Sequence, residues 1–513
     1  MGGIGKTTLA QLVYNDEMVQ SSFEIRAWTC VSEDFDAVRV TKAILKSVTF
    51  ASRKDKNDLD LLQVKLQEKL KGKKFLIVLD DLWNEKYHDW TILRAPFLAG
   101  ASGSTIVVTT RNEGVSSMTG TVQAYRLQVL SNDACLFVFT QHALGASNFD
   151  EHPNLQDIGE KMVERCKGLP LAARTLGGLL RTTQDRDEWE EVLTSKIWNI
   201  PDERSGIVPA LMLSYDHLPS HLKRCFMYCS ILLKDYEFEE KQLVLLWMAE
   251  GLIQPREGDK EMEDLGSKYF RDLLARSFFQ QSSNDRSQFL MHDLINDLAQ
   301  WVAGDICFRM EDQIKGSNGR RLPEKARHSS YLGGRYDVAK KFESFFELTY
   351  LRTFLPLPRP WESYLTQNVP HQLLPKLLYL RVLSFSGYRI VELPDSIGDL
   401  KHLQYLDLSY TLIRGLPEST TTLYNLQTLI LKKCRLLKEL PSKLGNLVSL
   451  RHLNILNANK LEGMPPQIGK LTHLRTLSNL IVGKGNCFVL RELGSLLHLR
   501  GTLIISQLEN ARN

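Results

Sequence analysis

No apolar run in this chain approaches the roughly 20 residues that cross a bilayer; Phe75 to Leu79 is among the longest. A transmembrane helix is therefore not expected. Nor is there an excess of one charge. The 64 Lys and Arg stand against 60 Asp and Glu, a formal +4, so no global field draws the chain to nucleic acid or to a membrane. The eight cysteines in 513 residues show no framework spacing, which fits a reducing, cytoplasmic setting. His221, Cys225 and Cys229 would share a helix face, but zinc needs a fourth ligand and usually a Cys-x-x-Cys pair. They read instead as a buried stripe with Leu222, Phe226 and Ile231. The N-terminus shows no leader: Met1 runs into Gly-Gly-Ile-Gly-Lys, and Lys6 stands where a myristoylation signal wants Ser or Thr. With 43% apolar and 24% charged residues the chain is ordinary globular protein. Its length suggests about three to four domains.

The first eight residues carry chemistry. Gly2, Gly3, Ile4, Gly5, Lys6, Thr7 and Thr8 read as the end of a phosphate-binding loop, G-x-x-x-x-G-K-[ST]. Glycines let backbone N–H groups converge on phosphate oxygens, Lys6 would reach the outer phosphates, and the Thr7 hydroxyl would ligate Mg²⁺. The motif's first Gly and the strand that feeds the loop would precede Met1, so the chain reads as an N-terminally truncated fragment.

Lys74-Phe-Leu-Ile-Val-Leu-Asp80-Asp81 is a short apolar run ending in two carboxylates. Such a run fits a strand buried on both faces. Asp80 would hold Mg²⁺, and Asp81 could polarise an attacking water. Gly103 to Thr110 gives another buried strand and ends at Arg111, a cation that either senses a terminal phosphate or lies at the surface. Phe23 to Ser32 supplies a further strand, with helices over Asp36–Phe50 and Asp58–Leu70. Strands alternating with helices predict an α/β domain with a parallel sheet, here 1–126.

Helical patterns then fill 127–200 (Asn132–His142, Asn154–Cys166, Ala172–Leu180, Trp189–Ile197) and 201–310 (Ile207–Tyr215, His221–Ser230, Glu239–Glu250, Met262–Ala275). Ser277–Gln280 and Gln288–Leu290 could form a β-wing. No Arg/Lys-rich recognition helix accompanies it, so no nucleic-acid site is expected. The stretch 311–370, with Pro356-Leu-Pro-Arg-Pro360, reads as a connector. From 371 to 513 a repeat takes over. Segments open at Leu380, Leu403, Leu426, Leu450, Leu474 and Leu499, at spacings of 23, 23, 24, 24 and 25. That period defines a leucine-rich repeat solenoid. Residues between the leucines would face outward as ligand candidates: Val382, Ser384, Tyr405, Asp407, Thr428, Ile430, Lys432, His452 and Asn454. This region has 18 Lys and Arg against 9 Asp and Glu, so it carries +9 and the remainder −5. Attraction between the two parts would suit an autoinhibitory contact; an ordinary basic solenoid is the alternative.

These blocks, in order, resemble the plant intracellular immune receptors that join a nucleotide-binding NB-ARC domain to leucine-rich repeats, the NB-LRR disease resistance proteins of the coiled-coil, non-TIR class. The resemblance rests on the phosphate loop, on Phe23 to Asp36, on Trp83 after the Asp pair, and on Tyr125 to Leu130 with Phe137. It continues through Gly168-Leu-Pro170-Leu-Ala172, Cys225 to Ser230 with Asp235 to Phe238, Trp247 to Gln254, and Met291-His292-Asp293. It implies a P-loop NTPase domain, a helical domain, a winged helix and the solenoid. The implied activity is an ADP/ATP switch with Mg²⁺ rather than a turnover enzyme. In this family Pro170 would line the adenine, His292 would contact the ADP phosphate, and Arg111 would sense the terminal phosphate. From residue logic alone, Pro170 could simply break a helix and His292 could be a surface or capping residue. The resemblance further implies recognition of a pathogen effector or guarded host protein through the repeats, self-oligomerisation on activation, and defence signalling. Two other readings stand beside it: a working ATPase, and a repeat scaffold whose nucleotide module is silent.

Overall fold

The computed structural model describes residues 2–31, 35–49, 58–199, 208–255, 261–282, 285–310, 323–334, 336–357, 363–484 and 488–511. Expectations for Ser32, Phe50, Pro201 to Ile207 and Pro358 to Pro360 fall outside them. The contacts divide the chain into two compact units. The first is Met1–His217 with Ala275–Gln280 and Leu290–Ile295; the second is Leu218–Leu274, Gln281–Phe289 and Asn296–Asn513. This division cuts across the 201–310 segment instead of following it.

In the first unit three parallel strands lie in the order β1 (Ile25–Cys30), β2 (Phe75–Asp80), β3 (Thr105–Val108). β2 pairs with both neighbours, Ile25 to Cys30 against Phe75 to Asp80 and Leu76 to Leu79 against Thr105 to Val108. Every residue of β2 is buried, as a strand covered on both faces requires. Its centre position carries Asp80 and Asp81 to the C-terminal edge, where α/β sheets hold their sites. Helix Lys6–Asn15 follows the glycine loop directly. The helices Asn132–Ala143, Gln156–Arg165, Pro170–Leu180 and Arg186–Thr194 pack around Phe139 and Trp189, whose rings meet edge to face at 5.5 Å. The last of them opens three residues before the expected Trp189. The Asp185 side chain accepts the Asp187 N–H and caps the helix there; a polar cap leaves no mark in the apolar pattern.

The second unit holds helices Ser220–Tyr228 and Glu240–Ala249, most of Met262–Ala275, and a parallel sheet of eight strands stacked in chain order. They are β4 (Cys307–Met310), β5 (His328–Leu332), β6 (Thr353–Leu357), β7 (Val382–Ser384), β8 (Tyr405–Asp407), β9 (Thr428–Ile430), β10 (His452–Asn454) and β11 (Thr476–Leu477). One leucine-rich core runs from Ala326 to Leu496. Two expectations need correction. The sheet does not begin at Leu380, since β4 to β6 lie within or before the supposed connector. Their openings, Ala326 and Leu351, come 25 and 29 residues before the next ones, and this uneven spacing hides them from a fixed-period search. Nor do the strand positions between leucines stand open to ligands. Val382, Ser384, Tyr405, Asp407, Thr428 and His452 are buried, and Ile430, Lys432 and Asn454 are half-buried. The helical segment of the same unit covers this face. Tyr228 bonds Thr353 at 3.3 Å, Ser330 donates to the Ile231 carbonyl, and His452 meets Glu263 at 3.0 Å. Cys225 and Cys229 are buried free thiols, and the His221 ring lies tilted against Tyr269, centroids 4.4 Å apart, so the stripe is core.

Candidate phosphate site of the first unit

The site starts from two left-handed glycines. Gly3 has φ 70° and Gly5 φ 96°, conformations that side chains resist. They fold the loop back so that helix Lys6–Asn15 begins at Gly5, whose carbonyl takes the Leu9 N–H. A Cβ on Gly2 would come within 3.1 Å of the Arg111 guanidinium, and one on Gly3 within 3.0 Å of Leu171. The loop is thus walled by the end of β3 and the start of helix Pro170–Leu180. Leu294, which would lie 3.3 Å from a Cβ on either glycine, adds the start of helix Asp293–Ala303.

The carboxylates separate by environment. Asp80 is 5% exposed and accepts the Thr7 hydroxyl at 3.1 Å as well as the Thr109 hydroxyl. Burial raises its pKa against these two bonds. Asp81 lies just past the strand in the left-handed region, φ 55°, which costs a non-glycine residue about 1–2 kcal/mol. Its own N–H bonds the Thr109 hydroxyl at 2.9 Å. One carboxylate oxygen accepts the Trp83 indole N–H at 3.0 Å, and the other faces Arg111 Nε at 3.6 Å. Arg111 in turn lies over the Trp83 ring, 5.3 Å from its centroid, and forms an ion pair with buried Asp293. Lys6 has its pKa lowered by burial and by Arg111, with Asp81, Asp80 and Asp293 pulling the other way.

His292 is half-buried, and its Nδ1 accepts the Leu294 N–H at 3.2 Å. That leaves the proton of the neutral ring on Nε2. Burial first, then Arg111, Lys6 and Arg174 against Asp81, bring its pKa down to about 4 from 6.5. A depressed histidine pKa means the folded state disfavours the proton. Stability is then undiminished above pH 6.5 and falls as pH drops from 6.5 toward 4. The loss is up to about 3 kcal/mol, less whatever water screens at the half-buried ring. Urea unfolding between pH 7 and 4 should show this slope in the parent chain and lose it in His292→Gln; an unchanged slope would sink the assignment.

The structure therefore gathers Gly2, Gly3, Gly5, Lys6, Thr7, Asp80, Asp81, Arg111 and His292 at one edge of the sheet. Pro170 joins as the first residue of its helix, and the next residue's N–H bonds the Gly3 carbonyl at 3.3 Å. Ile4 is half-buried and Thr8 is exposed on the helix. Sequence reasoning gave no role to Trp83, Thr109 or Asp293. Trp83 and Asp293 were in view only as motif letters, and nothing in a linear sequence pairs residue 111 with residue 293. The donor set suits a magnesium nucleotide. A threonine hydroxyl beside a buried carboxylate is hard-oxygen chemistry for Mg²⁺, and the glycine loop with Lys6, Arg111 and the Nε2–H of His292 offers donors to phosphate.

Three family descriptions match in succession: the NB-ARC domain over residues 1–148, the disease resistance protein winged helix domain over 231–299, and a leucine-rich repeat region over 361–498. Disease resistance RPP13-like protein 1 of Arabidopsis thaliana is 45% identical over 437 residues, covering 84% of this chain and 41% of that protein. Disease resistance protein RGA2 of Solanum bulbocastanum is 42% identical over 516 residues, covering 100% of this chain and 49% of that protein. The chain thus spans less than half the length of either relative. With the three domains in this order and these relatives along its length, the chain belongs to the disease resistance proteins built from an NB-ARC domain, a winged helix and leucine-rich repeats.

Proposed function

We propose that this chain is the nucleotide-gated core of a cytoplasmic plant immune receptor, holding ADP at rest and exchanging it for ATP on activation. The convergence of Arg111, Asp293 and His292 on the glycine loop carries the reading. Gly2 to Thr8 cradle the phosphates, with Lys6 and Arg111 supplying charge. Thr7 and Asp80 hold Mg²⁺, which screens the phosphate oxygens when bound. Pro170 lies against the base, and the Nε2–H of His292 donates to the outer phosphate of ADP. Residues 290–295 belong to the first unit while the residues on both sides belong to the second. A change at the phosphate that releases His292 and Asp293 is therefore passed along the chain into the rest of helix Asp293–Ala303. A ligand shifts such an equilibrium only through unequal affinity for the two states, and His292 and Asp293 contribute to one state only.

Hydrolysis is slow in this reading. Asp81 is placed to polarise water, but Trp83 and Arg111 engage both of its oxygens. The repeats then bind protein, a pathogen effector or a guarded host protein, and activated chains self-associate. Because the strand face is covered by the helical segment of its own unit, a ligand must use another face or displace that segment.

Mass spectrometry of nucleotide released from the purified chain tests the proposal: ADP should appear at close to one per chain. An empty protein would favour a repeat scaffold. Steady-state phosphate release well above about one per minute would favour an ATPase over a switch of the GTPase kind.

A further inference from the structure

Each strand from β5 to β11, and the later strand Ile504–Ser506, is preceded by one position, the residue after the opening Ala326 or Leu, that forms a column along the sheet edge. The backbone links the column at strand spacing: the N–H of Arg352 bonds the carbonyl of Arg327, and that of Arg381 the carbonyl of Arg352, both at 2.7 Å. Arg475 to Arg451 and Arg500 to Arg475 repeat the link at 2.7 Å. Arginine thus fills the first three places and the last three, with two glutamines between.

The last three have partners. Arg451, Arg475 and Arg500 meet Glu261, Glu263 and Asp264 at the start of helix Met262–Ala275, at 2.7–3.5 Å. The first three have the same chemistry and a different surrounding. Arg327 lies over the exposed Tyr350 ring at 5.2 Å, and Arg381 donates to the Glu250 backbone carbonyl at 2.9 Å. Arg352 forms no ion pair among the described residues, and no carboxylate oxygen of those residues lies within the 4.0 Å ion-pair distance of any of the three. The Glu250 carboxylate is turned inward, accepting from Thr353 and facing His328 at 3.5 Å. Guanidinium groups do not relieve repulsion by deprotonating at neutral pH. Burial and the neighbouring Arg381 and Arg327 disfavour the charge on Arg352, with Glu250 alone opposing them. Beside them Tyr350 and Tyr379, 56% and 49% exposed, stand 5.6 Å apart, and His402 stacks on Tyr379.

We propose that Arg327, Arg352 and Arg381, walled by Tyr350 and Tyr379, form a docking site for an acidic peptide segment of a partner protein, with two or three carboxylates in one helical turn. The same column a few strands on already takes two glutamates and an aspartate from a helix start, which sets the class of ligand. Planar forks at strand spacing fit carboxylates, and the exposed rings give a peptide apolar backing that free phosphate cannot use. The site is separate from the nucleotide reading and survives its failure.

Fluorescence anisotropy of labelled hexaglutamate with the whole chain tests it. Arg327→Gln/Arg352→Gln should weaken binding about tenfold or more, since both charged forks are lost. Arg435→Gln, at an exposed arginine elsewhere in the repeats, should not. The double variant should melt no lower than the parent, because it removes like charges. Should it fail to fold, Arg352→Lys keeps the charge and loses the fork, and it must still bind several-fold more weakly. Parent-like affinity in either variant overturns the proposal. So does tripolyphosphate binding at the triad where hexaglutamate does not, which would make it a phosphate site.

Discussion

Lys6→Ala should leave the chain unable to retain adenine nucleotide through purification, with ADP affinity down by about 10- to 150-fold. That range follows from the 1.5–3 kcal/mol of a hydrogen bond to a charged group. Lys6 sits in the glycine loop among charges of both signs. Burial and Arg111 both work against its charge, yet Arg111 is fixed by Asp293, Asp81 and the Trp83 ring. Three carboxylates, Asp81, Asp80 and Asp293, work the other way. In the proposed reading, Lys6 adds a charge-assisted bond to the diphosphate. Unfolding of Lys6→Ala in nucleotide-free buffer should therefore differ little from the parent, while stabilisation by added ADP, which follows from binding the folded state alone, should vanish. Calorimetric titration with Mg-ADP measures the first effect and melting with and without ADP the second. Unaltered affinity in Lys6→Ala would show that the loop does not hold phosphate.

How much of this was legible beforehand depends on range. β2 could be read from five apolar residues and two aspartates because burial on both faces leaves a mark in consecutive positions. The phosphate loop could be read because glycine at φ 70° and 96° has few substitutes. The repeats could be read from Leu380 onward because their period is nearly constant. β5 and β6 could not, since their openings break that period, although Leu351-Arg-Thr-Phe354 has the same inward and outward alternation as Leu380-Arg-Val-Leu383. Burial of the strand face was out of reach for another reason. A position between leucines faces outward in any single repeat; only knowledge that Tyr228 and Glu263 come to lie over it makes Tyr405 and His452 core. The charge difference of +9 against −5 named no residues and left an ordinary basic solenoid open. Within the second unit, Arg451 and Arg475 pair with Glu261 and Glu263, and Arg500 with Asp264.

Breaking that pairing should have the largest effect on stability. Arg451 grips Glu263 through two bonds of 2.8 Å, reaches Glu261 at 3.0 Å, and is 14% exposed against 24% for Glu263. His452 adds a bond to Glu263, and Arg475 one to Glu261 at 2.7 Å. Glu263→Ala would leave a half-buried guanidinium and a buried imidazole facing an empty place, which costs more than the pair itself contributes. About 2–4 kcal/mol is expected, toward the lower end because water still reaches both groups. Charge reversal at Arg451 alone should be worse, and Glu263→Arg/Arg451→Glu should recover much of the loss. Burial works to raise the Glu263 pKa, but the bonds from His452 and Arg451 outweigh it and hold the carboxyl well below its usual value. A depressed acid pKa contributes stability that is complete above about pH 4.5 and is lost as pH falls toward the folded value. Acid should thus loosen the parent, and Glu263→Gln, with no charge to lose, should show a shallower slope below pH 4.5. Urea titrations of the whole chain at neutral pH, at about pH 4.5 and about one to two units below that read both effects. If Glu263→Ala unfolds at the parent's urea concentration, water holds those arginines as well as the helix does, and the basic column is free for any acidic partner along its length.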